Sequence, residues 1–85
     1  MEPWKLVLGE AAFQFFNGLR ATERRKLLDA FEKLKRDPRR RHDVGIRDVT
    51  GRSLSRFSLR PFLITYWLDD FVLEVRVVDI QRVRS

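Results

Sequence analysis

Cysteine is absent from the chain, and histidine occurs once, at position 42. A chain without cysteine has no disulfide framework, no thiolate metal site and no cysteine nucleophile. One histidine is too few for a His-based metal site, so we expect no metal or cofactor. No apolar run approaches the roughly 20 residues of a membrane span, and residues 1–5 lack the features of a signal peptide. We therefore expect a cytoplasmic protein with no membrane partner.

Length and composition indicate a small globular domain. The 85 residues correspond to one domain over 1–85, and a hydrophobic content of 44% argues against disorder. A chain of this size supports one modest core, so a partner that buries part of its surface would stabilise it.

The net charge of +6 is concentrated in one region. Residues 20–47 hold 11 basic and 5 acidic side chains, whereas the rest of the chain holds seven of each. Such a region is typical of a protein that binds a polyanion, either nucleic acid or an acidic protein segment. The alternative is a solubilising surface or, for the three consecutive arginines, a solvated spacer. The candidate phosphate contacts here are Arg24, Arg25, Lys33, Arg36, Arg39, Arg40 and Arg41.

Two amphipathic segments predict a helical hairpin. Residues 10–19 place apolar side chains on one face, with Asn17-Gly18 ending the segment. The second helix is predicted to be capped by Thr22 and to end at Arg36, before Pro38. Its apolar stripe consists of Leu27, Leu28, Phe31 and Leu34.

The remaining segments predict an antiparallel sheet. Strands are expected at 4–8, 53–60, 62–68 and 71–82, with a short extended segment at 44–49. Residues 62–68 carry no charge and are rich in aromatic and β-branched side chains, which is typical of a central strand. The fold class predicted is α+β, with the helical hairpin packed on one face of a small antiparallel sheet in the order β-α-α-β-β-β.

Alternation along the strands divides their side chains between two faces. The face toward the helices is predicted to hold Phe57, Leu59, Phe62, Ile64, Tyr66, Phe71, Leu73, Val75 and Val77. The open face is predicted to hold Arg56, Arg60, Arg76 and Arg82, together with Leu63, Thr65, Trp67, Glu74, Val78 and Ile80. A one-residue slip of the central strand would exchange its two sets.

Several short motifs in this order resemble a known family. They are WKLVL at 4–8, AAF at 11–13, LKRDP at 34–38, RFSLR at 56–60 and LITY at 63–66, followed by Asp69-Asp70 and a valine-rich strand. The chain is similar to the RelE/ParE superfamily of bacterial type II toxin–antitoxin systems over nearly its whole length. The resemblance implies a toxin that a cognate antitoxin protein holds inactive.

The resemblance also implies candidate site residues. In the ribosome-dependent mRNA endonucleases of this family, cations hold the phosphate and an acid or base acts near the 2′-hydroxyl. Arg56, Arg76 and Arg82 are the matching cations, Arg60 adds an RNA contact, and Tyr66 is a candidate for proton transfer or for the core. Glu74 is a second candidate for proton transfer.

Two departures from the family pattern leave the mechanism open. Leu63 stands where the family usually has Arg, and Gln81-Arg82 replaces a terminal His-Arg pair. The first hypothesis is cleavage of mRNA on the ribosome, which suits the basic region. The alternatives are a ParE-like inhibitor of DNA gyrase, which needs no RNA-cleaving residues, and a non-catalytic binding module of the same fold.

Overall fold

Seven elements form the fold in the computed structural model, which describes residues 3–38, 44–47 and 53–83. The predicted α+β class and order of elements are confirmed. The extended segment forms a strand of its own at Val44–Arg47. The elements are β1 (Lys5–Leu8), α1 (Glu10–Asn17), α2 (Ala21–Arg36), β2 (Val44–Arg47), β3 (Ser53–Leu59), β4 (Phe62–Asp69) and β5 (Glu74–Arg82).

The sheet has the strand order β1-β5-β4-β3-β2, so β4 is central as predicted. Neighbouring strands run antiparallel except β1, which lies parallel to β5. The sheet is therefore mixed, a refinement of the antiparallel prediction. Parallel neighbours need a long connection, and here nearly the whole chain separates the two strands.

Helix α1 begins at Glu10, and Gly9, directly after β1, is its N-cap. The Gly9 amide donates to the Val77 carbonyl over 2.8 Å. A Cβ at this position would lie 3.3 Å from the same oxygen, so the absence of a side chain lets the helix start against β5. Ala12 is fully buried, while Phe15 and Phe16 pack against the core.

Helix α2 is the longest element and buries a stripe against the sheet. The stripe consists of Leu27, Ala30, Phe31 and Leu34. Leu28 is 51% exposed, so its predicted place in the stripe is wrong. Arg20 occupies the N-cap position without a side-chain hydrogen bond, so the predicted Thr22 cap is wrong as well.

The core lies between the helical hairpin and one face of the sheet, as predicted. Phe62, Ile64 and Tyr66 are buried there together with the α2 stripe. The rings of Phe15 and Phe62 meet edge to face, with centroids 6.0 Å apart. The predicted inward and outward sets on β4 are confirmed.

A register shift changes the faces of β5. Thr65 pairs with Asp79 and Tyr66 with Val77, so Val78 is an extra residue in the ladder. A bulge of this kind reverses the alternation beyond it. Ile80 is therefore buried in the core cluster and Arg82 pairs with Phe62, so both lie on the helix side and their predicted place on the open face is wrong.

The turn between β4 and β5 is longer than predicted. Residues 70–73 lie outside the strands, and the Phe71 amide donates to Asp69 Oδ1 over 3.1 Å. Phe71 is fully exposed and Leu73 is 39% exposed, so their predicted place in the core is wrong. Leu73, the residue before β5, has a φ of 55°, a left-handed conformation that is uncommon for a residue other than glycine.

Some predictions fall outside the described residues. The basic segment with Arg39, Arg40 and Arg41 is among them. In the described part of the chain, neither helix combines the length and the apolar character needed to cross a membrane.

Candidate functional site

The open face of the sheet carries a row of ionic and aromatic side chains along β5 and β4. Arg76 pairs with Trp67 across these strands, and Glu74 pairs with Asp69 one step nearer the turn. The guanidinium of Arg76 lies 5.6 Å from the centre of the Trp67 ring. This contact is a cation–π interaction, which restrains the arginine side chain.

Two carboxylates hold Arg76 on the side toward the turn. Its Nη2 lies 2.7 Å from Glu74 Oε1, and its Nε lies 3.7 Å from Asp69 Oδ2. The Arg76 side chain is still 42% exposed. An arginine has five N–H donors, so the outward donors of Arg76 remain available to a ligand.

Arg56 lies on the same face, on β3. Phe57 packs edge to face on the core residue Tyr66, with ring centroids 6.4 Å apart, so the preceding residue points to the open side. In the described part of the chain, Arg56 Nε is buried and makes no hydrogen bond. A buried N–H donor that has no hydrogen-bond partner lowers the stability of the fold.

The two arginines do not converge. Arg56 pairs with Thr65, whereas Arg76 pairs with Trp67, two residues along β4. Strand spacing and rise place their Cα atoms roughly 12 Å apart. Arg76 also leans toward the turn, since Asp69 and Glu74 lie there, and so away from Arg56.

Charges on the open face balance one another. The described side chains there include three cations and three carboxylates. Lys5, Asp69, Glu74 and Arg76 are paired or one step apart, whereas Arg56 and Asp79 lie on either side of Thr65. Helix α2, on the other side of the sheet, carries six basic and three acidic residues. The charge excess that the sequence predicted to bind a polyanion therefore lies, in the described chain, on the helix. The open-face set is Lys5, Arg56, Arg76, Asp69, Glu74 and Asp79.

The other predicted catalytic residues lie on the helix side. The Tyr66 hydroxyl is buried and donates to the Pro38 carbonyl over 3.0 Å. Arg82 Nη1 lies 2.9 Å from Glu23 Oε2, and its guanidinium lies 5.2 Å from the centre of the Phe62 ring. The predicted catalytic set is therefore divided between two faces of the sheet.

The Arg82–Glu23 contact shifts both ionisation equilibria. The hydrogen bond from Arg82 lowers the pKa of Glu23, and the same bond raises the pKa of Arg82. The pair links the end of β5 to the first turn of α2. A buried Phe62 ring beneath the guanidinium completes the contact.

The predicted RNA contacts on α2 differ in their surroundings. Arg24 donates from Nη1 to the Leu19 carbonyl, just past the end of α1, so this side chain satisfies a free carbonyl of the hairpin. Arg25, Lys33 and Arg36 are exposed on the outer side of the helix.

Arg60 is also exposed, but it lies in the turn between β3 and β4 rather than on the open face. Its carbonyl accepts a hydrogen bond from Lys26 Nζ over 2.7 Å.

Sequence reasoning did not identify Asp69 as a partner of Arg76. Pairing across the hairpin could have predicted this contact, because residues equally distant from the turn lie opposite one another. Asp69 and Glu74 therefore pair, and Arg76 is the next residue of β5 on their face. Among the described residues, no group of three acidic or histidine side chains is placed to hold a metal ion.

Solved structures share this fold. The chain superimposes on the archaeal RelE–RelB complex from Pyrococcus horikoshii OT3 with a TM-score of 0.74 at 14% identity, covering 94% of both chains. The intact RelBE toxin–antitoxin complex from E. coli gives 0.73 at 20% identity, covering 94% of this chain and 96% of that one. The RelBE2 toxin–antitoxin complex from Mycobacterium tuberculosis gives 0.75 at 19% identity, with 94% and 98% covered.

These likenesses confirm the predicted RelE-like fold. No family model matches the sequence, and no curated protein matches it either.

Proposed function

We propose that this chain is the toxin of a type II toxin–antitoxin pair and that a cognate antitoxin protein inhibits it. The observation that carries the proposal is the RelE-like fold over 94% of the chain. An apolar and acidic antitoxin segment would be attracted to α2, where basic residues outnumber acidic ones by six to three. Such complementarity mainly increases the association rate and the specificity.

The proposed activity is cleavage of mRNA on the ribosome, in the cytoplasm. Arg76 supports this role because two carboxylates and an indole ring restrain its guanidinium while part of it stays exposed. A fixed donor is suited to a phosphate oxygen or to charge that develops during cleavage. Arg56 is the second donor on the open face, and the exposed Arg25, Lys33 and Arg36 would bind ribosomal RNA.

Proton transfer would fall to a residue of the open face. Glu74 is the proposed group, because its carboxylate lies next to Arg76 on the face where Arg56 also lies. Tyr66 is fully buried on the helix side, so a substrate bound on the open face would contact Glu74 and would not contact Tyr66. A cleavage mechanism built on this face therefore uses Arg76 and Glu74 together, with Arg56 as a separate RNA contact.

A second candidate is inhibition of DNA gyrase by protein binding. The observation that favours it is the separation of Tyr66 and Arg82 from the open-face arginines. An inhibitor that acts by binding does not need these side chains to meet. The ionic row on the open face would then be a protein contact.

The test is primer extension on a defined mRNA in a cell-free translation reaction, with and without the purified chain. We expect cuts within codons that appear only while translation proceeds. The Arg76→Ala variant should lose these cuts while its circular dichroism spectrum is unchanged. Intact message with continuing translation would reject cleavage, and supercoiling assays with purified gyrase would then test the second candidate.

A further inference from the structure

The turn between β4 and β5 exposes three consecutive apolar side chains. Phe71 is 100% exposed, Val72 is 55% exposed and Leu73 is 39% exposed. We call these three residues the tip. Single exposed apolar residues are common on protein surfaces, but a contiguous exposed apolar group is typical of an interaction site.

The tip is held by hydrogen bonds at both ends. The Phe71 amide donates to Asp69 Oδ1 over 3.1 Å, and the Lys5 amide of β1 donates to the Leu73 carbonyl over 2.9 Å. A turn fixed in this way presents its apolar side chains at a defined place. Little conformational freedom is then lost when a partner binds.

Acidic residues surround the tip. Residues 69–74 contain three carboxylates and no basic side chain. Two cations lie beside the tip. Arg76 is already paired with Glu74 and Asp69, and Lys5 lies opposite Glu74 on β1, so three carboxylates face two cations. An RNA strand or an anionic membrane would be repelled by such a site, whereas a protein with an apolar patch among cations would fit it.

The chain itself carries a surface of that chemistry. Leu28 is 51% exposed in the middle of α2. At spacings of three and four residues, it lies in a row with Arg25 before it and with Glu32 and Lys35 after it. Lys35 Nζ and Glu32 Oε1 are 2.9 Å apart, which leaves Arg25 as the exposed cation beside Leu28. We call Arg25 and Leu28 the Leu28 surface.

We propose that the tip of one copy docks on the Leu28 surface of a second copy. Phe71 would cover Leu28, and the Asp70 carboxylate would approach Arg25. Because the tip and the Leu28 surface are different, a single contact of this kind is heterologous. A dimer with a two-fold axis would form the contact twice. This proposal is independent of toxin activity.

The contact is weak in solution because it is small. An aromatic side chain buries about 150–250 Å², whereas a standard interface buries about 800 Å² per partner. Self-association therefore develops at high protein concentration. It weakens when salt screens the exposed charges, whose interaction falls off over about 8 Å at physiological ionic strength.

Sedimentation equilibrium of the purified chain tests the proposal. From about 10 µM to about 1 mM, a range that suits a small interface, the weight-average mass should rise above that of the monomer. The rise should be smaller in high salt. Phe71→Ser should weaken association about tenfold or more, as expected for exposing an aromatic side chain. Phe13→Ser is the matched control, since Phe13 is 52% exposed but belongs to neither surface.

Charge exchange gives a sharper test. Asp70→Lys and Arg25→Asp should each reduce self-association, and an equimolar mixture of the two variants should restore it. A monomeric mass at every concentration overturns the proposal. Equal losses in Phe71→Ser and Phe13→Ser overturn it too. Weaker binding of a single-stranded RNA oligonucleotide by Phe71→Ser, with no change in mass, would assign the tip to nucleic acid instead.

Discussion

The two faces of the sheet show how one alternating pattern produces two different surfaces. On the covered face, Ile64, Val75 and Val77 are fully buried beneath the helices. On the open face, the corresponding positions hold Arg76, Glu74 and other ionic side chains at partial exposure. The covered face supplies the apolar burial that stabilises the fold, while the open face contributes little to the core and is free to carry chemistry.

The end of β5 departs from this division. Because Val78 is an extra residue in the ladder, Arg82 moves from the open face to the helix side. There it contacts Glu23 and the Phe62 ring. A one-residue bulge therefore converts a candidate phosphate ligand into a link between β5 and α2.

The largest expected effect tests whether the covered face stabilises the fold. Ile64→Ala should lower the free energy of unfolding by about 2–5 kcal/mol, because it leaves a cavity in the core. Its neighbour Leu63, which points to the open side and is partly exposed, is the matched control. Leu63→Ala should cost about 1 kcal/mol. Urea denaturation measures both, and equal losses would contradict the division between the faces.

The next effect tests whether the open face carries the proposed activity. Arg76→Ala should reduce translation-dependent mRNA cleavage about 10²–10³-fold, as expected when a donor to developing charge is lost. The free energy of unfolding should change by about 0.5 kcal/mol or less, since the side chain is substantially exposed.

Arg82→Ala is the matched control for that experiment, because Arg82 lies on the helix side. The rate in primer extension should stay within about threefold of the wild-type rate, a difference of less than 1 kcal/mol in the barrier. A loss as large as that of Arg76→Ala would mean that Arg82 reaches the substrate despite its contact with Glu23.

How far the fold follows from the sequence depends on which pattern is read. The uncharged run in β4 leaves one good assignment for a central strand, and its alternation predicts the buried set. The bulge in β5 is hidden because Val77 and Val78 are identical residues, so the apolar pattern does not show which one is extra. Burial of the small Ala30 in place of Leu28 was missed for a similar reason, since two adjacent leucines suit either edge of the stripe.

The candidate site is harder to predict than the fold. Arg56 and Arg76 follow from alternation alone and are placed on the open face as expected. Arg82 depends on a register shift, and the Arg76–Asp69 contact depends on the pairing across the hairpin. The local pattern does not show the register shift, whereas the hairpin contact can be predicted only once the ends of the turn are assigned.

A smaller effect tests the role of Tyr66 on the covered face. Tyr66→Phe removes the donor to the Pro38 carbonyl and leaves a buried acceptor without its bond. The free energy of unfolding should fall by about 1–2 kcal/mol, as measured by thermal or urea denaturation. The pH profile of any mRNA cleavage should keep its shape. If the cleavage rate no longer changed on one side of the profile, this hydroxyl would have a proton-transfer role.

The smallest expected effect concerns the link at the end of β5. The hydrogen bond from Arg82 lowers the pKa of Glu23 in the folded chain, so folding favours the carboxylate over the acid. The resulting stabilisation is complete above the ordinary glutamate pKa of about 4.3. It is lost as the pH falls through the lowered folded value.

Glu23→Gln should therefore lower the midpoint of unfolding at neutral pH, toward the midpoint measured in acid. At the acid end of the range, the variant and the wild type should have the same midpoint. Because both side chains are partly exposed to solvent, the effect is small and should shrink further in high salt. Glu32→Gln is the matched control, since its partner Lys35 lies on the same helix and no strand is joined. If the two variants showed the same pH dependence, the contact between Arg82 and Glu23 would be an ordinary surface ion pair, and the burial of Ile80 with the Arg82–Phe62 contact would hold the end of β5 against the helices.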